Sequence, residues 1–155
     1  MLATETKELV PATEIATKTT QFEVTRGVAP KSMPVPRPDL AGLRLMPLGG
    51  GPIYVVNPEG MLQWIPNPAT YNNLFRDWDG VYRVDIANMA IGSALSDGAV
   101  LAKGHASSAV YVISNGKKRW VTSPAAMDKY HFNWNLVYVV PQVLINGLPT
   151  GASWS

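Results

Sequence analysis

The sequence predicts an α+β protein: two tandem repeats, each a short-stranded antiparallel β-hairpin sheet with short helices, packed as one pseudo-twofold domain behind an extended N-terminal arm. The first of three supporting observations is an internal duplication. Gly51-Pro-Ile-Tyr-Val-Val-Asn-Pro-Glu-Gly-Met-Leu-Gln-Trp-Ile-Pro-Asn-Pro68 returns as Ser108-Ala-Val-Tyr-Val-Ile-Ser-Asn-Gly-Lys-Lys-Arg-Trp-Val-Thr-Ser-Pro124. The second is the alternation of apolar and polar residues on both sides of a turn signal in each copy. The third is a change to helical spacing directly afterwards. The boundaries that follow are 1–41 for the arm, 42–98 for repeat 1 and 99–155 for repeat 2.

The arm holds seven threonines, no tryptophan and the prolines Pro30, Pro34, Pro36 and Pro38. Met33-Pro-Val-Pro-Arg-Pro38 is expected to be extended, because each proline fixes its own φ and biases the residue before it away from helix. Gln21-Phe-Glu-Val-Thr25 alternates as a short strand would. Phe22, Val24, Val28 and Met33 are apolar residues that a purely solvated tail has no use for. They are the expected anchors if the arm lies across a neighbouring subunit, as in strand addition.

Each repeat opens with a short strand, Gly42-Leu-Arg-Leu-Met-Pro47 or Ala99-Val-Leu-Ala-Lys-Gly104. A hairpin follows. Ile53–Val56 faces Met61–Ile65 in the first copy, and Val110–Ile113 faces Lys117–Val121 in the second. Asn115-Gly116 is the two-residue turn expected where both positions need positive φ; the first copy has the longer Asn57-Pro-Glu-Gly60. Asn67-Pro68 and Ser123-Pro124 place an N-cap before a proline at the first helical position. Tyr71, Leu74 and Phe75, and then Met127 and Tyr130, give each helix an apolar face. Extended pieces are expected at Val81–Val84 and Val137–Val140, with further short helices over Asp85–Ala94 and Pro141–Asn146.

Composition narrows the function classes. The chain of 155 residues suits one modest domain, and 15% charged residues is low. A net charge of +2 gives no electrostatic reason to expect nucleic acid. Cysteine is absent, which removes disulfides and thiolate chemistry. The N-terminus carries acidic residues where a signal peptide needs positive charge, and no apolar run suits a membrane helix. The expectation is a protein made in the cytoplasm without a signal peptide and without membrane insertion.

No catalytic residue, metal ligand set or cofactor motif is nominated. The histidines are His105, in a loop, and His131, which stands where the first copy has Phe75 and is read as a packing residue. Asp77-Trp-Asp79-Gly80 begins like a calcium loop but lacks its later ligands. Short Asx side chains bonding the turn after a helix account for it and for Asn133-Trp-Asn135. Duplicated tryptophans read first as shared core, Trp78 and Trp134 above all. As a sugar platform the candidates are Tyr54, Trp64, Tyr111 and Trp120, with Lys117 and Arg119 beside them. Lys117-Lys118-Arg119 is otherwise explained as a solvated edge strand that resists aggregation.

The stretch from Val110 to Pro124, with Trp134, Val137, Leu148-Pro149 and Gly151, resembles a bacterial repeat of the form VYLVxxGKKRWIxxPxxF…W…V…LxxxPxG. That repeat recurs beside enzymatic or adhesive domains in cell-surface and phage-encoded proteins. The resemblance implies a non-catalytic accessory or binding module and extends to repeat 1 in looser form. Two functions are expected from the whole. One is a structural or interaction protein, oligomeric in context and anchored through its arm to protein subunits of a larger assembly, a virion decoration or accessory protein being one concrete form. The alternative is a carbohydrate-binding module that recognises cell-surface glycan.

Overall fold

The computed structural model describes residues Pro34–Ser155. The expected anchors Phe22, Val24, Val28 and Met33 lie outside the described residues. Among the described residues two four-stranded sheets carry the fold, and they have the same strand order. The first contains β1 (Arg44–Pro47), β2 (Ile53–Val56), β3 (Leu62–Ile65) and β4 (Val81–Val84), in the order β3-β2-β1-β4. The second contains β5 (Val100–Gly104), β6 (Val110–Ser114), β7 (Lys117–Val121) and β8 (Tyr138–Val140), in the order β7-β6-β5-β8.

The expected hairpins are present in equivalent register. Tyr54 stands opposite Trp64, and Tyr111 opposite Trp120. Asn115 and Gly116 take φ of 55° and 71°, the positive pair their turn requires. The sheets are mixed, not purely antiparallel as expected: β4 runs parallel to β1, and β8 parallel to β5. The helix after each hairpin is the cause. It carries the chain back across the sheet, so the last strand enters in the direction of the first.

Those helices are α1 (Pro68–Leu74) and α2 (Pro124–Lys129). Both start as read: the Asn67 side chain accepts from the Thr70 N–H and that of Ser123 from the Ala126 N–H, with proline at the first helical position. Asp85–Ala94 is not helical. Ala87 N–H donates to Asp85 Oδ1 at 3.0 Å in a turn, and the residues beyond run beside β3. Among the described residues only the second unit has a further α-helix, α3 (Gln142–Asn146).

The chain then closes the hairpin edge of each sheet in the same way. Leu62 bridges Ile91 and Lys118 bridges Thr150, both parallel. The N–H of Leu95 donates to the Trp64 carbonyl at 2.9 Å, and that of Trp154 to the Trp120 carbonyl at 2.7 Å. The expectation that Lys117–Arg119 forms a solvated edge is thereby corrected, because Pro149–Trp154 covers β7.

One core serves both sheets. Val55, Ile65, Tyr71, Leu74 and Phe75 join Leu101, Val112, Tyr130, Phe132 and Trp154 in a single buried cluster. The units meet where α1 and α2 end: Phe75 and Phe132 stack at 5.5 Å between centroids. Around them Arg76 N–H donates to the His131 carbonyl at 3.0 Å and Asn133 N–H to that of Leu74 at 2.9 Å. Trp154 is fully buried, with its ring edge-on to Tyr130 and Phe132 and the Arg119 guanidinium 4.3 Å from its centroid.

A smaller cluster, Leu45, Val56, Leu62 and Met89, lies on the other face of the first sheet. Pro34–Ala41, read from the sequence as the end of the arm, contributes to its cover. Val35 bridges Met89, Leu40 packs on the cluster, and Arg37 N–H donates to the Gly60 carbonyl at 2.8 Å. Gly60 has φ of 84°, and a Cβ there would overlap the backbone of Arg37 and Pro38, so glycine is required on both counts.

Trp154→Ala is expected to destabilise the fold by about 3–5 kcal/mol, the cost of emptying an aromatic core site. Val143→Ala, on an exposed turn of α3, should stay within about 0.5 kcal/mol. Urea denaturation followed by circular dichroism separates the two. Equal midpoints would exclude the proposed role of Trp154.

Candidate functional site

The second helix-flanking tryptophan of each unit is exposed. Trp78 and Trp134 are 45% and 47% accessible, and Trp64 and Trp120 are 42% and 43%. The core placement expected for these four is therefore corrected. Their positions explain it: Trp78 lies in the turn beyond α1 and Trp134 at the start of the short 3-10 helix Trp134–Leu136. Phe75, Phe132 and Trp154 fill the interior instead. His131 is displaced as well. It adopts φ of 60°, which turns the chain so that Phe132 reaches the core position expected for it.

Each unit presents a groove with one tryptophan from β3 or β7 and one from beyond the helix. The first has a volume of about 590 Å³ and is lined by Trp64 and Trp78 with Ile53, Ile65, Pro66 and Pro68. The second, of about 350 Å³, is lined by Trp120 and Trp134 with Val110, Val121, Thr122 and Pro124. These are the same positions of the duplicated sequence. Folding has reproduced a groove along with a scaffold.

In the first groove Trp78 is held firmly. Its ring stacks on Tyr71 at 4.0 Å between centroids, and its Nε1–H donates to Asn72 Oδ1 at 2.9 Å. Beneath the pair lies Arg44, only 6% exposed, where the second unit has the core residue Leu101. The guanidinium donates to Tyr71 Oη at 2.6 Å, to the Asp77 carbonyl at 3.2 Å and to the Asp79 carbonyl at 2.8 Å. Tyr71 O–H donates in turn to the Asp77 carbonyl at 2.6 Å. Burial pushes the Tyr71 phenol above its usual range, partly offset by Arg44, so it stays a neutral donor. The turn carrying Trp78 is thus fixed from inside by a buried cation.

It is fixed from outside by His131, whose Nε2 lies 2.8 Å from Asp77 Oδ1. That bond holds the Asp77 carboxyl below the usual carboxylate range. Asp77 Oδ1 also accepts from Asp79 N–H at 3.0 Å, and Asn133 Oδ1 from Asn135 N–H at 2.9 Å, the Asx turns read from both triplets. Among the described residues no three of His, Asp and Glu converge on a point that could hold a metal.

The other expected platform residues are placed apart from the grooves. Tyr54 and Tyr111 are half-buried and line neither groove, each beside its cross-strand partner Trp64 or Trp120; Tyr54 packs on the smaller cluster, and the Lys118 ammonium sits 5.5 Å over Tyr111. Arg119 donates to Ala152 O at 2.6 Å and Gln63 Oε1 at 2.9 Å, and burial lowers its pKa. It joins the two units; Lys117 is exposed beside it, along a crevice between them. Of the expected set, only Trp64 and Trp120 line the grooves. Sequence reasoning missed Arg44 as a support and Lys103 as a wall of the second groove. Arg44 was detectable as a charge at the position where the second copy has leucine.

No protein-family model, curated protein or solved structure matches the chain.

The Asp77–His131 contact gives a pH signature. A carboxyl whose folded pKa is depressed contributes stability above its unfolded value, here 3.8, and that contribution is lost as pH falls through the folded value. His131→Ala is therefore expected to flatten the acid limb of the melting temperature below about pH 4. Thermal melts between pH 2 and 6 check this; parallel curves for the variant and parent would remove the contact from the account.

Proposed function

We propose that this protein is a non-catalytic binding module that holds cell-surface glycan in two equivalent tryptophan-flanked grooves. The observation that carries the reading is the reappearance of the groove itself, with a half-exposed tryptophan pair at matching positions in both units. A protein with these residues as packing alone would bury them. Indole faces stack on the C–H faces of sugar rings, and aromatic groups placed on a rigid scaffold lose little entropy on binding. Two sites on one scaffold suit a polymer, since the second contact forms at high effective concentration.

The arrangement is further read as pseudo-twofold. Contacts between equivalent positions support this: Gln63 meets Arg119, and Phe75 with Arg76 meets His131 with Phe132. Each pair exchanges into itself or its neighbour when the two copies are interchanged, as residues on a twofold axis do.

Trp78→Ala and Trp134→Ala are each expected to weaken binding to a polymeric glycan at least about tenfold, through loss of one of two linked sites. Both variants should remain folded, within about 1 kcal/mol of the parent, because both rings are half-exposed and neither belongs to the core cluster. Glycan-array binding followed by calorimetry on the strongest polymer measures the first effect. Undiminished binding by the double variant would refute the groove assignment.

A second reading, attachment to protein subunits of a larger assembly, has its own support. Tyr138, Val139, Val143 and Leu144 are 59%, 61%, 71% and 59% exposed, a density of open apolar side chains that marks interaction surfaces. The expected outcome is co-sedimentation of the protein with a megadalton particle, released by the double substitution Val143→Asp, Leu144→Asp. Recovery of the parent as a small species would end this reading.

A further inference from the structure

The two grooves share their aromatic walls but differ in their polar atoms, and this difference predicts different ligands. In the first groove every polar side-chain atom other than the Trp64 indole is already engaged. Asn67 donates to Asp97 Oδ1 at 2.8 Å and its oxygen accepts from Thr70, while Tyr71 O–H and Trp78 Nε1–H donate to Asp77 and Asn72. The rest of its lining is apolar, with prolines at 52, 66 and 68. This groove offers a stacking surface and few donors.

The second groove is lined by Lys103, Ser107, Ser108, Thr122 and Ser123 as well as its tryptophans. Lys103 follows Ala102 on β5, and strand alternation puts it on the same face as the core residue Leu101, where its strand meets the groove wall. Among the described residues its ammonium has no carboxylate partner. Ser107 and Ser123 accept from the N–H groups of Ala109 and Ala126, which orients their oxygens and leaves their O–H groups free to donate. An ammonium and several hydroxyl donors without a carboxylate among them match a ligand that only accepts.

Resting on the glycan reading, we propose that the groove of the second unit takes an acidic sugar through its carboxylate, whereas the first groove takes a neutral sugar face. Lys103 supplies the charge, the serine and threonine hydroxyls complete the hydrogen bonds, and the half-exposed Trp134 offers the stacking face. A carboxylate accepts only and gains most from charged donors in a partly dehydrated site.

The test uses the full chain carrying Trp78→Ala, so that the second groove is observed alone, with a panel of hexuronic-acid tetrasaccharides and their methyl esters as probes. Esterification keeps the ring and removes the charge. The acids are expected to bind about tenfold tighter than the esters at low ionic strength, the weight of one charge-assisted hydrogen bond. Adding Lys103→Met should abolish that preference, bringing acid binding down to the level of the ester. Methionine already stands at the matching position of the first unit, Met46, so the fold should accept it. Equal binding of acid and ester, or a preference that survives Lys103→Met, overturns this inference and leaves the glycan reading standing. If neutral and acidic saccharides alike fail to bind the parent protein, both fall together.

Discussion

Neither unit can bury its own sheet, and this constraint organises the molecule. A four-stranded sheet with one or two turns of helix leaves most of an apolar face open, well short of what a stable small domain needs. The solution is a single core between the two sheets, joined where the chain leaves α1 and α2. The backbone bonds between Leu74 and Asn133 and between Arg76 and His131 make that junction a short antiparallel ladder, with the Phe75–Phe132 stack against it. Trp154 closes the same interior from the end of the second unit. Because these large side chains fill the core, the four duplicated tryptophans are left outside, and the grooves follow from that displacement.

Much of this order is visible in the residues. Asn115-Gly116, the Asn67 and Ser123 caps and the spacing of Tyr71, Leu74, Met127 and Tyr130 are local signals. They depend on backbone sterics and helical period, which do not change with tertiary context. The parallel fourth strand is a different kind of fact, set by how far a helix carries the chain. Asp85–Ala94 and Pro141–Asn146 look alike in polarity, yet only the second forms a helix, because the first must lie along β3 with Met89 turned under it.

The tryptophans show where a single sequence stops being informative. Repeated aromatics at repeated positions are the signature of a shared core and equally of a repeated platform, and periodicity alone does not separate them. Burial does. The deciding residues were Phe132 and Trp154: the first reaches the core only because His131 adopts a left-handed conformation, and the second lies outside the duplicated motif. Both are consequences of packing, not of pattern.

Arg44 illustrates how the two copies have diverged around one site. Replacing a core leucine with a guanidinium is costly unless every donor finds an acceptor. Here carbonyls and a phenol, not a carboxylate, receive the charge, and its Nε remains without a partner. Stability alone gives no reason for such an exchange, since Leu101 packs the equivalent position of the second unit. What the arginine adds is rigidity at the turn bearing Trp78, whose ring then stacks on Tyr71; in the second unit Met127 takes the place of that tyrosine. The first groove is accordingly a fixed aromatic wall with its hydrogen bonds used up. The second has Met127 in place of the stacked tyrosine and is lined by Lys103 and hydroxyls. The two grooves occupy matching positions, and Arg44, Tyr71 and Lys103, matched by Leu101, Met127 and Met46 in the other unit, are where their surroundings differ.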